Sequence, residues 1–232
     1  MENKIFLKEL AKIGIILTKV QEEQLEKYYT LLIKTNESLN LTAITEKKDV
    51  YLKHFYDSLT LVKATNLNED LNICDIGTGA GFPGLVLKII FPHLKITLVD
   101  ALEKRIKFLK LVIKELNLSN IEAIHSRIED LPLKEHYDLV VSRAVAKTNT
   151  LLELGCQLPK INGYFLLMKS NVTDEIKEAT IAIKTLNYQL EDLVSFTLPI
   201  EDSKRTIIKL KKIDHTSSKY PRDFAQIKKK PL

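Results

Sequence analysis

From residue 71 onward, short apolar runs alternate with longer helical patterns, and no other feature constrains the fold as much. LNICDI is followed by PGLVLKII, KITLVD by EKRIKFLKLVIKEL, then come IEAIH, YDLVVS with TLLELGCQL, and GYFLLMK with VTDEIKEATIAIKTL. Strands alternating with helices in one register imply βαβ units and a parallel sheet covered on both faces. Two more strands are predicted around QLEDLVSFTL and KRTIIKLKK. No helical pattern separates them, so they should pair antiparallel at one edge. The expected class is α/β, Rossmann-like, with a mostly parallel sheet.

The first 65 residues read as helical. In QEEQLEKYYTLLIKTNESL, residues Leu25, Tyr28, Tyr29, Leu32 and Ile33 recur at the spacing of one amphipathic helix face. A break follows at Asn40–Thr45, where Thr45 is suited to cap a second helix, EKKDVYLKHFYDSLTLVKA. Polar NLNED at 66–70 marks a boundary. The reading divides the chain into a helical extension (1–68), an α/β domain (69–213) and a basic tail (214–232). The last dozen residues read as loosely held.

Charge is unevenly placed. Residues 201–232 carry ten Lys/Arg and four Asp/Glu, a balance of +6, which leaves −1 for everything before them. An excess confined to one terminal segment suits a polyanion, although a merely solubilising tail would look the same. The N-terminus, MENKIFLKEL, lacks the apolar core of a secretory signal, and no apolar run reaches membrane-spanning length. Cys74 and Cys156 lie far apart within apolar stretches. They are expected to be reduced core thiols of a cytoplasmic protein, with neither a disulfide nor a metal.

The strand-to-helix junction at 74–84, CDIGTGAGFPG, holds four glycines in eleven positions. Asp75, Gly77, Gly79 and Gly81 lie in the loop, and Phe82 and Pro83 lead into the helix. Glycines let backbone turn sharply and approach a ligand closely, and proline tolerates a first helical turn. Two cofactor classes use such a loop. Dinucleotides seat a pyrophosphate on the helix N-terminus, whereas S-adenosylmethionine places an amino acid and an adenosine there. A carboxylate at the loop entrance, Asp75, repels a pyrophosphate and suits a ligand bearing ammonium and sulfonium charges, which favours S-adenosylmethionine. Asp100, closing KITLVD, stands where the ribose-binding acid ends the second strand.

Methyl transfer from a sulfonium is an in-line displacement that mainly requires alignment. Base carbons need a nucleophilic cysteine, and no cysteine stands in a suitable loop. Exocyclic amines commonly use an Asn/Asp-Pro-Pro-aromatic turn. After the fourth strand this chain instead reads Ser142-Arg143-Ala144-Val145-Ala146. A ring nitrogen with a free lone pair, such as guanine N7, needs neither device. Arg143, at the carboxyl edge of the sheet, could hold phosphate, stack on a base or donate to a guanine edge. An ion pair with Glu129 or Asp138 is the alternative. Arg127-Ile128-Glu129 follows the third strand, where methyltransferases of this fold read adenine.

Taken together these residues resemble the bacterial small-subunit ribosomal RNA guanine-N7 methyltransferases, also called the glucose-inhibited division protein B family. The resemblance spans nearly the whole chain. It rests on Asn40-Leu41-Thr42, His54, Asp57-Ser58, DIGTGAGFPG, Lys104-Arg105, Phe108-Leu109, Arg127 with Glu129, SRAVA, Lys219-Tyr220-Pro221-Arg222 and the terminal Lys-Pro-Leu. It implies a seven-stranded class I methyltransferase fold and methylation of N7 of one guanine in a conserved 16S rRNA loop near the decoding region. Gly77, Phe82, Ile128, Glu129 and Arg143 would contact the cofactor, with Asp100 at the ribose. Asn40, His54 and Asp57 would face the same cleft and, with Arg143, position the substrate. Lys219, Arg222, Lys228, Lys229 and Lys230 are the candidates for RNA phosphate contact. The expected partner is 16S rRNA or a small-subunit particle met by a monomer, away from membranes. Two departures stand out: Asp223-Phe224-Ala225-Gln226-Ile227 replaces a Gly-x-Pro step in the tail, and Ser170 follows Lys169 where glycine is common.

Overall fold

The computed structural model spans residues 1–232 and describes every residue except Ala144, Asn171 and Thr173. The chain opens with α1 (Asn3–Lys12) and α2 (Lys19–Leu39). A composite helical stretch follows: α3 (Lys47–Val50), a π-helical turn (Tyr51–Tyr56), α4 (Asp57–Leu59) and a 3-10 turn (Thr60–Lys63). Next come β1 (Asn72–Ile76), α5 (Gly84–Ile90), β2 (Lys95–Asp100), α6 (Glu103–Glu115), β3 (Ile121–His125), β4 (Tyr137–Arg143), α7 (Thr148–Gly155), β5 (Pro159–Lys169) and α8 (Glu175–Thr185). The chain then forms β6 (Tyr188–Thr197), β7 (Lys204–Lys212) and α9 (Phe224–Lys229).

Among the described residues the strands form one seven-stranded sheet in the order β3-β2-β1-β4-β5-β7-β6. β1 to β5 pair in parallel, and β7 runs antiparallel to both β5 and β6, so the predicted antiparallel pair lies at one edge. Burial follows position. The central β1 is buried along most of its length, whereas the edge strand β6 is largely exposed. Alternate residues serve the two faces, as strand geometry requires. Ile73, Leu98, Val141 and Leu166 join α5 and α6 on one side, through Leu85 and Phe108. Cys74, Val140, Phe165 and Ile208 join α7 and α8 on the other, through Leu152 and Ala182.

The extension has no separate core, because Leu25, Leu32 and Phe55 belong to the same apolar cluster as Leu85 and Phe108. α2 starts in a capping box between Thr18 and Gln21 and buries Leu25, Tyr28 and Leu32, while Tyr29 and Ile33 are half-buried. Two local expectations fail. Thr45 does not cap the next helix: its first turn starts after Glu46 without a side-chain cap, and the Thr45 carbonyl accepts the Tyr29 hydroxyl instead. The tail is not loose either. Tyr220 and Ile227 are buried, and Arg222 donates from Nε and Nη2 to the wholly buried Glu153 carboxylate, at 2.7 Å each. Asn149 Nδ2 also holds the Leu232 carbonyl, at 3.2 Å. A composition of lysines and small polar residues does not reveal that one arginine in it has a buried partner.

Candidate active site

The glycine loop lies at the carboxyl end of β1, and its geometry is set from beneath by Asp75. That carboxylate is fully buried, and its Oδ2 accepts the Thr78 hydroxyl at 2.6 Å and the Gly84 backbone N–H at 2.8 Å. Gly84 opens α5, so Asp75 occupies the place at the helix N-terminus where a bound anion would sit. Burial raises its pKa to about 6, and the Thr78 and Gly84 hydrogen bonds oppose that rise. Four further loop N–H groups are also spent. Thr78 donates to Val99 O, Gly79 to Asp100 Oδ2, and both Gly81 and Phe82 to Thr78 O. Gly81 has φ +103°, and a Cβ there would come within 2.4 Å of Leu85 and 2.8 Å of the Tyr28 hydroxyl. That hydroxyl donates to Ala80 O at 2.5 Å, so α2 clamps the loop directly.

Over the loop opens a cavity of about 720 Å³, a size suited to a cofactor. Gly77, Gly79 and Phe82 form its floor, Asp100 and Arg105 one side, and Arg127, Ile128 and Glu129 the end beyond β3. Asp100 Oδ1 accepts the Leu102 N–H, and Arg105 Nη1 lies 3.1 Å from Oδ2. Leu41, Thr42, His54 and Arg143 form the opposite wall.

That wall is one bonded network. Arg143 Nη1 donates to Lys53 O at 2.7 Å and to Asp57 Oδ2 at 3.2 Å, and its Nη2 lies 3.1 Å from His54 Nδ1. His54 Nδ1 also lies 3.1 Å from Lys53 O, so this nitrogen either accepts from Arg143 or donates to that carbonyl, while Nε2 lies 3.0 Å from Thr42 Oγ1. Burial, and then the Arg143 charge, lower the His54 pKa to about 3, so the ring stays neutral. It stacks on Phe82 at 4.4 Å, and the Arg143 guanidinium lies 5.1 Å from the same ring. Arg205 Nε lies 3.3 Å from the other Asp57 oxygen. The π-helical turn delivers His54 into this wall, as such turns often do at functional sites.

The comparisons agree with this architecture. The family model described as GidB, rRNA small subunit methyltransferase G, matches residues 21–207. The chain belongs to that family. A Lachnoclostridium phytofermentans relative is 47% identical over 236 residues, covering 100% of this chain and 98% of its own. One from Bacillus subtilis strain 168 is 46% identical over 232 residues, covering 98% and 97%. Both are named Ribosomal RNA small subunit methyltransferase G. Among solved structures, a SAM-dependent methyltransferase from Aquifex aeolicus matches with TM-score 0.55 and 18% identity over 72% of this chain and 94% of its own. M. jannaschii TYW2 in complex with AdoMet matches with TM-score 0.53 and 19% identity over 63% and 71%. Those two similarities show the fold.

In this rRNA small subunit methyltransferase G family member, Gly77, Gly79, Phe82, Asp100, Ile128, Glu129, His54 and Arg143 line one cavity. Several candidates need correction. Asp75 and Gly81 lie behind the cavity and shape the loop. Asn40 ends α2 in a left-handed turn (φ +49°), and Thr42 lines the cavity in its place. Asp57 does not line the cavity and reaches it through Arg143, while Arg205 pairs with its other oxygen. Arg143 pairs with Asp57, and with neither Glu129 nor Asp138. Arg222 is paired with Glu153, its side chain 25% exposed, whereas Lys219, Lys228, Lys229 and Lys230 are exposed. Ala144 of the SRAVA segment lies outside the described residues.

Sequence reading missed Asn36, whose Oδ1 accepts the Leu41 and Thr42 N–H groups and so builds the turn. It also missed Arg205 and the Tyr28 hydroxyl. An asparagine four residues before a helix end was the available signal for the first; neither of the others had one. Among the described residues, no helix is long and apolar enough to cross a membrane, and no cluster of three or more His, Cys, Asp or Glu could hold a metal.

Proposed function

We propose that the protein transfers the methyl group of S-adenosylmethionine to N7 of one guanine in 16S ribosomal RNA, acting on the RNA or on a small-subunit particle. The observation that carries the cofactor choice is the occupied helix N-terminus. Asp75 already fills the anion position of α5, and the Thr78, Gly79, Gly81, Phe82 and Gly84 N–H groups have protein acceptors. A pyrophosphate would meet a carboxylate and too few donors. A phosphate-free sulfonium ligand loses nothing there, so these residues fit S-adenosylmethionine.

Bound S-adenosylmethionine supplies an electrophilic methyl group, and guanine N7 accepts it with a lone pair, losing no proton. The protein therefore has to position the reactants, and its wall suits that task. His54 is neutral, with one nitrogen against Arg143 and the other facing Thr42, so it does not stand ready as a base. Burial raises the pKa of both cysteine thiols, that of Cys156 to about 12, so neither serves as a nucleophile. Arg143 is braced on Lys53 O, Asp57 and His54, which sets its planar fork to meet a guanine edge or a phosphate. Gly77 and Gly79 present bare backbone to the cavity, and Asp100 lines it at the end of β2, where folds of this kind bind a ribose.

The test incubates methyl-labelled S-adenosylmethionine and the protein with 16S rRNA, and separately with small subunits, from cells lacking the modification. Reduction and aniline scission, which cut the chain only at N7-methylated guanine, then locate the label. One cut at a single guanine is expected. Incorporated label that produces no cut would place the methyl on another atom and end the N7 assignment.

A further inference from the structure

We propose that Phe224, in the C-terminal tail, walls the adenine end of the cofactor pocket, so the tail belongs to the cofactor site. This rests on the S-adenosylmethionine reading above. Of the other large apolar residues of the segment, Tyr220 and Ile227 are buried and Leu232 is half-buried, whereas Phe224 is 41% exposed and lines the cavity. Its ring lies 5.8 Å from the Arg127 guanidinium, and Arg127 begins the Arg127–Glu129 end of the same cavity. The residues on either side of the ring are anchored. Arg222 is fixed to buried Glu153 on α7, Ile227 is fully buried, and Thr150 and Leu154 of α7 line the cavity beside it.

A half-exposed ring at a cavity mouth, next to a guanidinium plane, is a surface for stacking a planar base. Two bases could reach it, the cofactor's adenine or a base of the RNA. Asp100 decides for adenine. The acid ending the second strand takes the ribose, which sends the attached base toward the β3 loop, and that loop carries Arg127. The wall of Thr42, His54 and Arg143 faces it across the cavity and leaves the RNA its own approach.

Calorimetry on the full-length protein tests this with S-adenosylhomocysteine and with 5′-methylthioadenosine, which keeps the adenosine but lacks the amino acid. F224A should weaken both ligands about tenfold, and F224Y should retain most of the affinity because the ring remains. RNA affinity measured without cofactor should be the same in F224A as in the unaltered protein. Unaltered S-adenosylhomocysteine affinity in F224A overturns the proposal, and a fall in RNA affinity alone assigns the ring to an RNA base. Weakening of S-adenosylhomocysteine but not methylthioadenosine moves the contact to the amino-acid end, and equal losses in F224A and F224Y rule out the ring as the binding element. If the unaltered protein binds neither ligand, the S-adenosylmethionine reading itself fails.

Discussion

The two walls of the cavity are built in opposite ways. The glycine loop is ten consecutive residues, Asp75 to Gly84, braced largely from within by Asp75 and Thr78, with Val99, Asp100 and the Tyr28 hydroxyl holding it from outside. The facing wall draws Thr42 and His54 from the extension and Arg143 from β4, and Asp57 and Arg205 of β7, outside the lining, complete its charge network. The first is held by hydrogen bonds to its own backbone. The second is rigid only while every charged member keeps its partner. Local geometry should therefore fail by strain, and the assembled wall by leaving a charge unpaired.

The largest effect should come from the loop. G81A puts a Cβ at positive φ against Leu85 and Tyr28. It should destabilise the protein by roughly 3 kcal/mol or more, read as a lower urea midpoint with unchanged slope. An unmoved midpoint would show that the clamp between Tyr28 and the loop yields easily. On the other wall, R143A leaves Asp57, 5% exposed, with Arg205 at 3.3 Å as its remaining cation. About 3 kcal/mol of stability should go, with methyl transfer falling at least a hundredfold. R143K should recover part of the stability but little of the activity, since an ammonium cannot donate as a planar fork. Equal activity of R143K and the unaltered enzyme would show that charge alone matters.

Acid titration sharpens the same contrast. Asp75, raised to about 6 from 3.8, binds its proton more tightly in the folded state, so its contribution rises as pH falls from 6 to about 4. His54, lowered to about 3 from 6.5, binds a proton less readily when folded, so its contribution is complete above pH 6.5 and is lost on acidification toward 3. Between about pH 4 and 6 the two oppose each other, and the stability they jointly confer should change little. H54Q should gain stability on acidification across that window, and D75N should lose it, each by about 2 kcal/mol. Parallel pH profiles for the two variants would mean that other groups govern this window. The smallest effect belongs to the exposed lysines. Replacing Lys228, Lys229 and Lys230 with alanine should weaken RNA binding a few-fold at low salt and flatten the dependence of log affinity on log salt. An unchanged slope removes them from the RNA contact.

The fold and the loop were legible because their causes are local or periodic. Apolar runs of strand length gave the sheet, and the i, i+3, i+4 pattern gave α2 with Leu25, Tyr28 and Leu32 inward. Asp75 was legible as important but assigned the wrong surface. The sequence places it beside the glycines, and only the fold shows its oxygen turned under them to Gly84. The case against a pyrophosphate therefore stands on an occupied helix end, and not on repulsion across the pocket. The facing wall was half legible. His54, Asp57 and Arg143 were each picked out, yet nothing in the order of residues shows that Asp57 sits between arginines 86 and 148 positions away. The tail misled for a related reason, since Arg222 reads as one more cation until Glu153 is found buried opposite it.

Calorimetric titration of the full-length protein with S-adenosylhomocysteine and, separately, with a reduced nicotinamide dinucleotide asks whether the end of α5 is already filled. Saturable binding of the sulfur nucleoside and no heat from the dinucleotide is the expected result. Tight binding of the dinucleotide would mean that the Asp75 carboxylate yields its place to a phosphate, and the cofactor assignment would fall with it.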